Sequence, residues 1–170
     1  HGLVATLTDG IETQRFARRV EFESIVDSTN AWAARAVAEG VVTEGTVFVA
    51  ERQTRGRGTG ANRWYSEDPG GLYLSLVLVE NLPQPLSFLP AIALVDALAE
   101  FGVGSHLKWP NDVFVEDRKL SGILAESQRT ANGGTAWIVG AGINVNQATF
   151  PDELVDRAVS LRLATGREWR

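Results

Sequence analysis

The stretch RGRGTGANRW, residues 55–64, decides between two very different folds. Gly56, Gly58 and Ala61 satisfy the spacing G-x-G-x-x-[G/A], the fingerprint of a dinucleotide-binding turn in a doubly wound parallel sheet. That turn works only where the glycines leave a strand and open a helix, because the helix N-terminus carries the pyrophosphate. Here TVFVAE (46–51) reads as a strand, but NRWYSEDPGG (62–71) follows the glycines, with no helical apolar spacing and a Pro-Gly-Gly turn. The dinucleotide reading is rejected. A Walker-type phosphate loop fails too, since no Gly-Lys-Ser/Thr ending follows. An arginine–glycine RNA segment is repetitive and basic, whereas this run occurs once in a chain of net charge −5. What remains is a loop whose backbone N–H groups and Arg57 can close on a phosphate or carboxylate, with Trp64 as a flat platform for a base.

Outward from that loop the chain spells a mixed sheet. EFESIV (21–26) alternates like a strand, DSTN (27–30) offers a helix N-cap, and AWAARAVAEG (31–40) reads as a helix stopped by Gly40. LYLSLVLV (72–79) is apolar on both faces, the mark of a buried central strand. PLSFLPAIALVDALAEFG (85–102) has helical apolar spacing and a glycine stop. HLKW (106–109) and VFVE (113–116) are short strands about a Pro-Asn-Asp turn. KLSGILAES (119–127) and TAWIVGAGINVN (135–146) are strands joined through ANGG. PDELVDRA (151–158) predicts a helix, and LRLATGREWR (161–170) predicts the start of another. The expectation is one α/β (α+β) domain over residues 1–170, a mixed sheet flanked by helices.

Composition narrows the function. The chain has 170 residues, 44% of them hydrophobic, enough for one proper core. Its negative balance argues against a general nucleic-acid or anionic-membrane surface. The absence of cysteine removes disulfides, thiolate nucleophiles and Cys-based zinc sites, and His1 and His106 cannot make a histidine-rich metal site. No apolar run reaches the ~18 residues of a membrane span and no signal peptide is visible, so a soluble intracellular protein is expected. With no methionine, the chain is read as less than a complete native product, its first residues a tag remnant.

Three segments carry candidate chemistry. By period-2 parity, Trp137, Val139, Ala141, Ile143 and Val145 share a core face, and Ala136, Ile138, Gly140, Gly142, Asn144 and Asn146 share the other. That second face is nearly bare, as a strand is where a ligand or another chain segment comes close; the plainer reading is tight helix packing on a smooth sheet. KWPND (108–112) gathers a cation, two side-chain oxygens and a ring, fit either for a magnesium–phosphate centre or for a self-satisfied hairpin turn. Lys119, opening its strand, is ordinarily solvated, and gains interest only if its face looks onto the glycine floor.

Taken in order, STN (28–30), ERQTRGRG (51–58) with NRW (62–64), GGLYLSLVL (70–78), KWPNDV (108–113), RKLSGILAE (118–126) and GAGINVN (140–146) resemble biotin protein ligases, the biotin–[acetyl-CoA carboxylase] ligases. The resemblance covers most of residues 22–147. It implies the mixed sheet shared with class II tRNA synthetases and lipoate ligases. It also implies a two-step reaction in which biotin and MgATP give biotinyl-5′-AMP and pyrophosphate, and a lysine of a biotin carboxyl carrier domain then takes the biotinyl group. Lys119 matches the signature lysine that bridges the biotin carboxylate and α-phosphate. Arg57 matches the arginine of the biotin and adenylate loop, with Gly56, Gly58 and Thr59 beside it. Ser28, Thr29, Asn30 and Gln53 match the positions around the neutral ureido ring, and Gly122, Gly140 and Gly142 the backbone floor beneath biotin. Trp64 matches the ring beside adenine, and Lys108, Asn111 and Asn144 the nucleotide side. Asp112 either orients Mg²⁺ or helps the incoming amine. Strict alternation puts Lys119 and Gly122 on opposite faces, so a bulge, or a backbone contact from Gly122, is required.

Two departures from the family pattern stand out. Many members read GRGR, whereas here Thr59 replaces the second arginine, which predicts a leakier hold on the adenylate. No winged-helix pattern is visible, so no DNA binding is expected, and the chain is expected to be truncated at its C-terminus, without the small C-terminal β-domain common in the family. A homodimer is expected from the family alone. The alternatives are a lipoate or octanoate ligase of the same fold, which would be expected to carry an arginine–glycine-run motif that is not found here, and a biotin-binding sensor without catalysis.

Overall fold

The computed structural model describes residues 16–79 and 87–169, so the reading of residues 1–15 and the first residues of the 85–102 helix lie outside it. Among the described residues seven strands form one sheet: β1 (Val20–Val26), β2 (Val47–Gln53), β3 (Gly71–Leu78), β4 (His106–Lys108), β5 (Asp112–Val115), β6 (Arg118–Arg129) and β7 (Thr135–Asn144). Their order is β1-β2-β3-β7-β6-β5-β4. Only β1 and β2 run parallel; every other neighbouring pair is antiparallel. That parallel pair needs a crossover, and helix α1 (Thr29–Glu39) supplies it.

The central position of β3 explains its continuous apolar run. On one face Val77 joins Ala33, Ala36 and Val37 of α1, with Phe48, Ala136 and Ile138. On the other, Leu76 and Leu78 meet the cluster built on Ala91 and Leu98 of α2 (Phe88–Glu100) with Val113, Val115, Leu120, Ile123 and Val139. α1 stops at Gly40, whose φ of 72° is left-handed and costs glycine no Cβ clash.

Two expectations at the C-terminal end need correction. Residues 151–158 are not a helix but a run of turns, in which Leu154 N and Val155 N both donate to Pro151 O. A segment of two turns gains little from helix formation alone, and here strand pairing wins. Lys119 N donates to Arg157 O (2.8 Å) and Val159 N to Lys119 O (3.0 Å), which pulls residues 157–159 straight alongside β6. The second predicted helix exists only as α3 (Leu161–Thr165), capped by Ser160 Oγ and ended by Gly166 at φ 72°. The 27–30 cap is also built differently. Ser28 occupies the N-cap with no side-chain cap bond, and the Asp27 carboxylate accepts from Ser28 N (2.8 Å) and from the two terminal guanidinium nitrogens of Arg35 (2.8 and 2.9 Å). That Arg35 pair holds the Asp27 carboxyl down at about 2.

Candidate active site

The start of α1 lies against the floor of β6 and β7, and consecutive polar side chains there are buried. Ser28, Thr29 and Asn30 are at most 4% exposed, and Gln53 at the end of β2 is 6%. Buried polar groups must find partners, and these find one another. Gln53 Oε1 accepts from Thr29 N (2.8 Å) and Thr29 Oγ1 (3.3 Å). Ser75 Oγ, from the middle of β3, donates to Asn30 Oδ1 (2.6 Å) and lies 2.8 Å from Thr29 Oγ1. Asn30 Nδ2 donates to Leu124 O (3.3 Å) and to Glu126 Oε2 (2.8 Å). Among the described residues, Gln53 Nε2 and the Ser28 hydroxyl keep their hydrogen-bonding capacity for an occupant.

The glycine face of β7 is bare because two side chains lie directly on it. A Cβ on Gly140 would overlap Asn30 Oδ1, and one on Gly142 would overlap the Trp64 indole. Ser28, Thr29, Asn30, Gln53, Arg57, Trp64, Gly122, Leu124, Gly140 and Gly142 thus line one pocket, of about 30 Å³ as it stands. Trp64 is its wall toward a second cavity of about 550 Å³, lined by Gly58, Thr59, Lys108, Asp112, Phe114, Lys119, Asn144 and Arg157. Trp64 Nε1 is buried with no partner among the described residues.

Of the two alternatives the sequence left open, a bulge or a backbone contact from Gly122, the bulge is present. Pairing passes from Val113↔Ser121 to Phe114↔Lys119, so Leu120 is the extra residue on β6. Lys119 therefore reaches the pocket face, where a Cβ on Gly122 would stand 3.2 Å from Lys119 Nζ. Lys119 Nζ pairs with Asp112 Oδ1 at 2.8 Å and sits 5.4 Å from the centre of the Trp64 ring. Its backbone is pinned by the 157–159 segment and by the buried Asn144 amide, which donates to Lys119 O (3.4 Å) and Val159 O (3.2 Å). Gln147 Nε2 bonds Asn144 Oδ1 (3.3 Å) and Tyr73 Oη (3.3 Å), and burial pushes the Tyr73 hydroxyl well above its ordinary pKa.

The structure thus gathers the candidate residues into two joined spaces, with two exceptions. Asn111 lines neither, its amide donating to Ile123 O (2.8 Å) and fixing the turn to β6. Gly56 lies under the loop, where a Cβ would overlap Ser66 Oγ and Trp64 O. Lys108 lines the larger cavity with Nζ 4.5 Å from the centre of the Phe114 ring. Ser75, Glu126 and Arg157 escaped sequence reasoning. Ser75 alone left a signal, a hydroxyl inside a central apolar strand.

A small pocket of mostly neutral hydrogen-bonding groups with Arg57 among them, sharing its Trp64 wall with a larger cavity that carries further cations, defines a small-molecule site for a ligand with a neutral polar head and an anionic partner. Residues 22–144 match the Biotin/lipoate A/B protein ligase family, and the chain belongs to that family. It is 36% identical over 166 residues to the bifunctional ligase/repressor BirA of Bacillus spizizenii, covering 94% of this chain and 51% of the relative. It is 34% identical over 153 residues to the biotin–[acetyl-CoA-carboxylase] ligase of Mycobacterium tuberculosis, covering 85% and 55%. The biotin protein ligase from Aquifex aeolicus in complex with biotin and ATP superposes with a TM-score of 0.77 at 39% identity, over 90% of this chain and 63% of that one. The chain therefore spans about half the length of the curated relatives it matches.

Proposed function

We propose that this chain carries the catalytic site of an ATP-dependent biotin–protein ligase, which makes biotinyl-5′-AMP and passes the biotinyl group to a lysine of a carboxylase's biotin carboxyl carrier domain. The observation that carries this reading is the junction of the two cavities at Lys119 and Trp64. The ureido head of biotin is neutral, offers two N–H donors and a carbonyl, and suits Ser28, Thr29, Asn30 and Gln53. A lipoyl dithiolane offers none of these and would leave buried polar groups unpaired, so biotin is favoured over lipoate.

In the first step a carboxylate oxygen of biotin attacks the α-phosphorus of ATP and pyrophosphate leaves. Two anions must be held in contact for this, and Lys119 stands where the pocket meets the larger cavity to offset their charge. Arg57, Gly58 and Thr59 close the loop over the product, Trp64 presents a face to adenine, and Lys108 faces the phosphates. In the second step the carrier lysine amine attacks the acyl carbon and AMP leaves. Magnesium takes one or two carboxylates together with phosphate oxygens, and Asp112, the carboxylate facing Lys119, is the group that would hold it beside the triphosphate. Bound there, the ion would neutralise phosphate charge. Asn111 and Asn144 support these groups through the backbone.

No helix among the described residues is long and apolar enough to cross a membrane. A cytoplasmic location and pairing into homodimers are part of the proposal by family likeness. The test mixes the chain with biotin, ATP and magnesium and measures pyrophosphate, then looks for a +226 Da mass shift of a carrier domain, about the mass of one biotinyl group joined by an amide. Pyrophosphate with lipoate instead of biotin would overturn the substrate assignment. Biotin bound without pyrophosphate would leave a sensor, not an enzyme.

A further inference from the structure

Glu126 has no part in the roles given above, yet it joins two walls of the small pocket. From Ser121 onward β6 alternates regularly, so Gly122, Leu124 and Glu126 share the pocket face, and Glu126 lies opposite Ile138 of β7. Its Oε2 accepts from Asn30 Nδ2 (2.8 Å) and is ion-paired with Arg57 Nη2. One carboxylate oxygen thus connects the first turn of α1, the sheet and the 55–64 loop.

The loop it holds is a unit of its own. Trp64 N donates to Gly56 O (3.0 Å), Gly58 N to Asn62 O (2.9 Å), and Arg57 faces Arg63 across a bridge. Its other arginines point elsewhere: Arg55 lies 3.8 Å from Asp27, and Arg63 lies 3.8 Å from Glu67. Among the described residues, Arg57 is the loop cation that reaches the sheet. We propose that Glu126 is a positioning residue that fastens the loop to the polar end of the pocket through Arg57, and at the same time orients the Asn30 amide. In this arrangement the Arg57 charge is neutralised before any ligand arrives. Arg57 therefore acts first as a fastener, and as an anion contact only when shared with Glu126.

The proposal as a fastener stands on the geometry alone; its bearing on biotin rests on the ligase reading. Glu126→Gln keeps an oxygen for Asn30 and removes the charge that holds Arg57. Trypsin can cut after Arg55, Arg57 and Arg63, and cleavage of a transiently opened loop tracks the open population. Losing one half-exposed ion pair should raise loop cleavage about fivefold in the ligand-free chain, with the thermal midpoint near native. Arg57→Gln should raise cleavage after Arg63 by a similar factor, and combining it with Glu126→Gln should add nothing further. Loop cleavage at the native rate in Glu126→Gln, or additive effects in the double variant, would overturn the fastener. With biotin and ATP, the Glu126→Gln KM for biotin should rise about fivefold with kcat within twofold, the pattern of a loosened lid rather than lost chemistry. Equal KM values refute the link to biotin, while absence of pyrophosphate from the native chain would refute the ligase reading and leave the cleavage result standing.

Discussion

Replacing Gly140 with alanine adds one methyl group on the face where Asn30 lies, and the methyl would overlap Asn30 Oδ1. Asn30 has little room to yield, because Ser75, Leu124 and Glu126 hold both ends of its amide. If Asn30 is displaced, the Ser75 hydroxyl, which has no exposed surface, loses a 2.6 Å bond. The charge-assisted bond to Glu126 is lost with it. Breaking a buried hydrogen bond costs about 1–3 kcal/mol, and bonds to charged groups lie at the upper end. Alanine in place of glycine returns about 0.5–1 kcal/mol by restricting the unfolded chain. With two bonds at risk, the net expectation is a loss of about 1–5 kcal/mol. For a domain of this size, with a urea m-value of about 2 kcal/mol/M, the midpoint should fall by roughly 0.5–2.5 M. Biotin binding, read by calorimetry on the same samples, should weaken at least tenfold, since the polar end of the pocket is rearranged. Gly142→Ala provides the contrast: its methyl meets the Trp64 indole, whose Nε1 has no bond to lose, so the urea midpoint should stay within about 0.5 M. A Gly140→Ala chain as stable as the native one would refute the claim that the bare strand face exists for Asn30.

Three further outcomes follow from the geometry. Lys119→Gln should lower kcat for pyrophosphate release by at least ~100-fold with folding largely kept, and a change confined to KM would remove Lys119 from the chemistry. Asp27→Asn should lose about 1 kcal/mol at pH 7 after allowance for solvent screening. The native Asp27 carboxyl is depressed to about 2 from 3.8, so its stabilisation is present above pH ~4 and fades as pH falls toward 2. Urea curves of native and variant should therefore converge across that window, and a constant gap would disprove the linkage. Thr59→Arg, which adds a cation to the wall of the larger cavity, should reduce labelling of bystander proteins by leaked adenylate roughly fivefold or more; equal labelling sinks that idea.

Much of this was legible from local chemistry. The strands declared themselves by alternation, β3 by its two-sided apolarity and the end of α1 by Gly40, because each rests on a short-range rule. The bulge was legible only as a conflict, since Lys119 and Gly122 could not otherwise share a face. Residues 151–158 misled because their spacing is helical, while the hydrogen bonds that straighten residues 157–159 come from Lys119, far away in sequence. Glu126 was invisible for a related reason. A glutamate in a strand is ordinarily solvated, and its two partners lie on elements more than sixty residues distant.

The extra residue Leu120 acts as a phase slip in a two-beat wave. Before it, β6 sends Lys119 to the ligand face; after it, the beat resets and Gly122, Leu124 and Glu126 return to that same face, while Leu120 and Ile123 sink into the core. A cation and a smooth floor thus come within a single strand, which a regular strand could not provide at a spacing of three. The position of a deletion or insertion in β6 therefore matters more than its size. One residue removed at the slip would leave every strand pairable and Lys119 and Gly122 two apart on one face, whereas one residue removed between Gly122 and Glu126 would turn one of that pair away from the ligand.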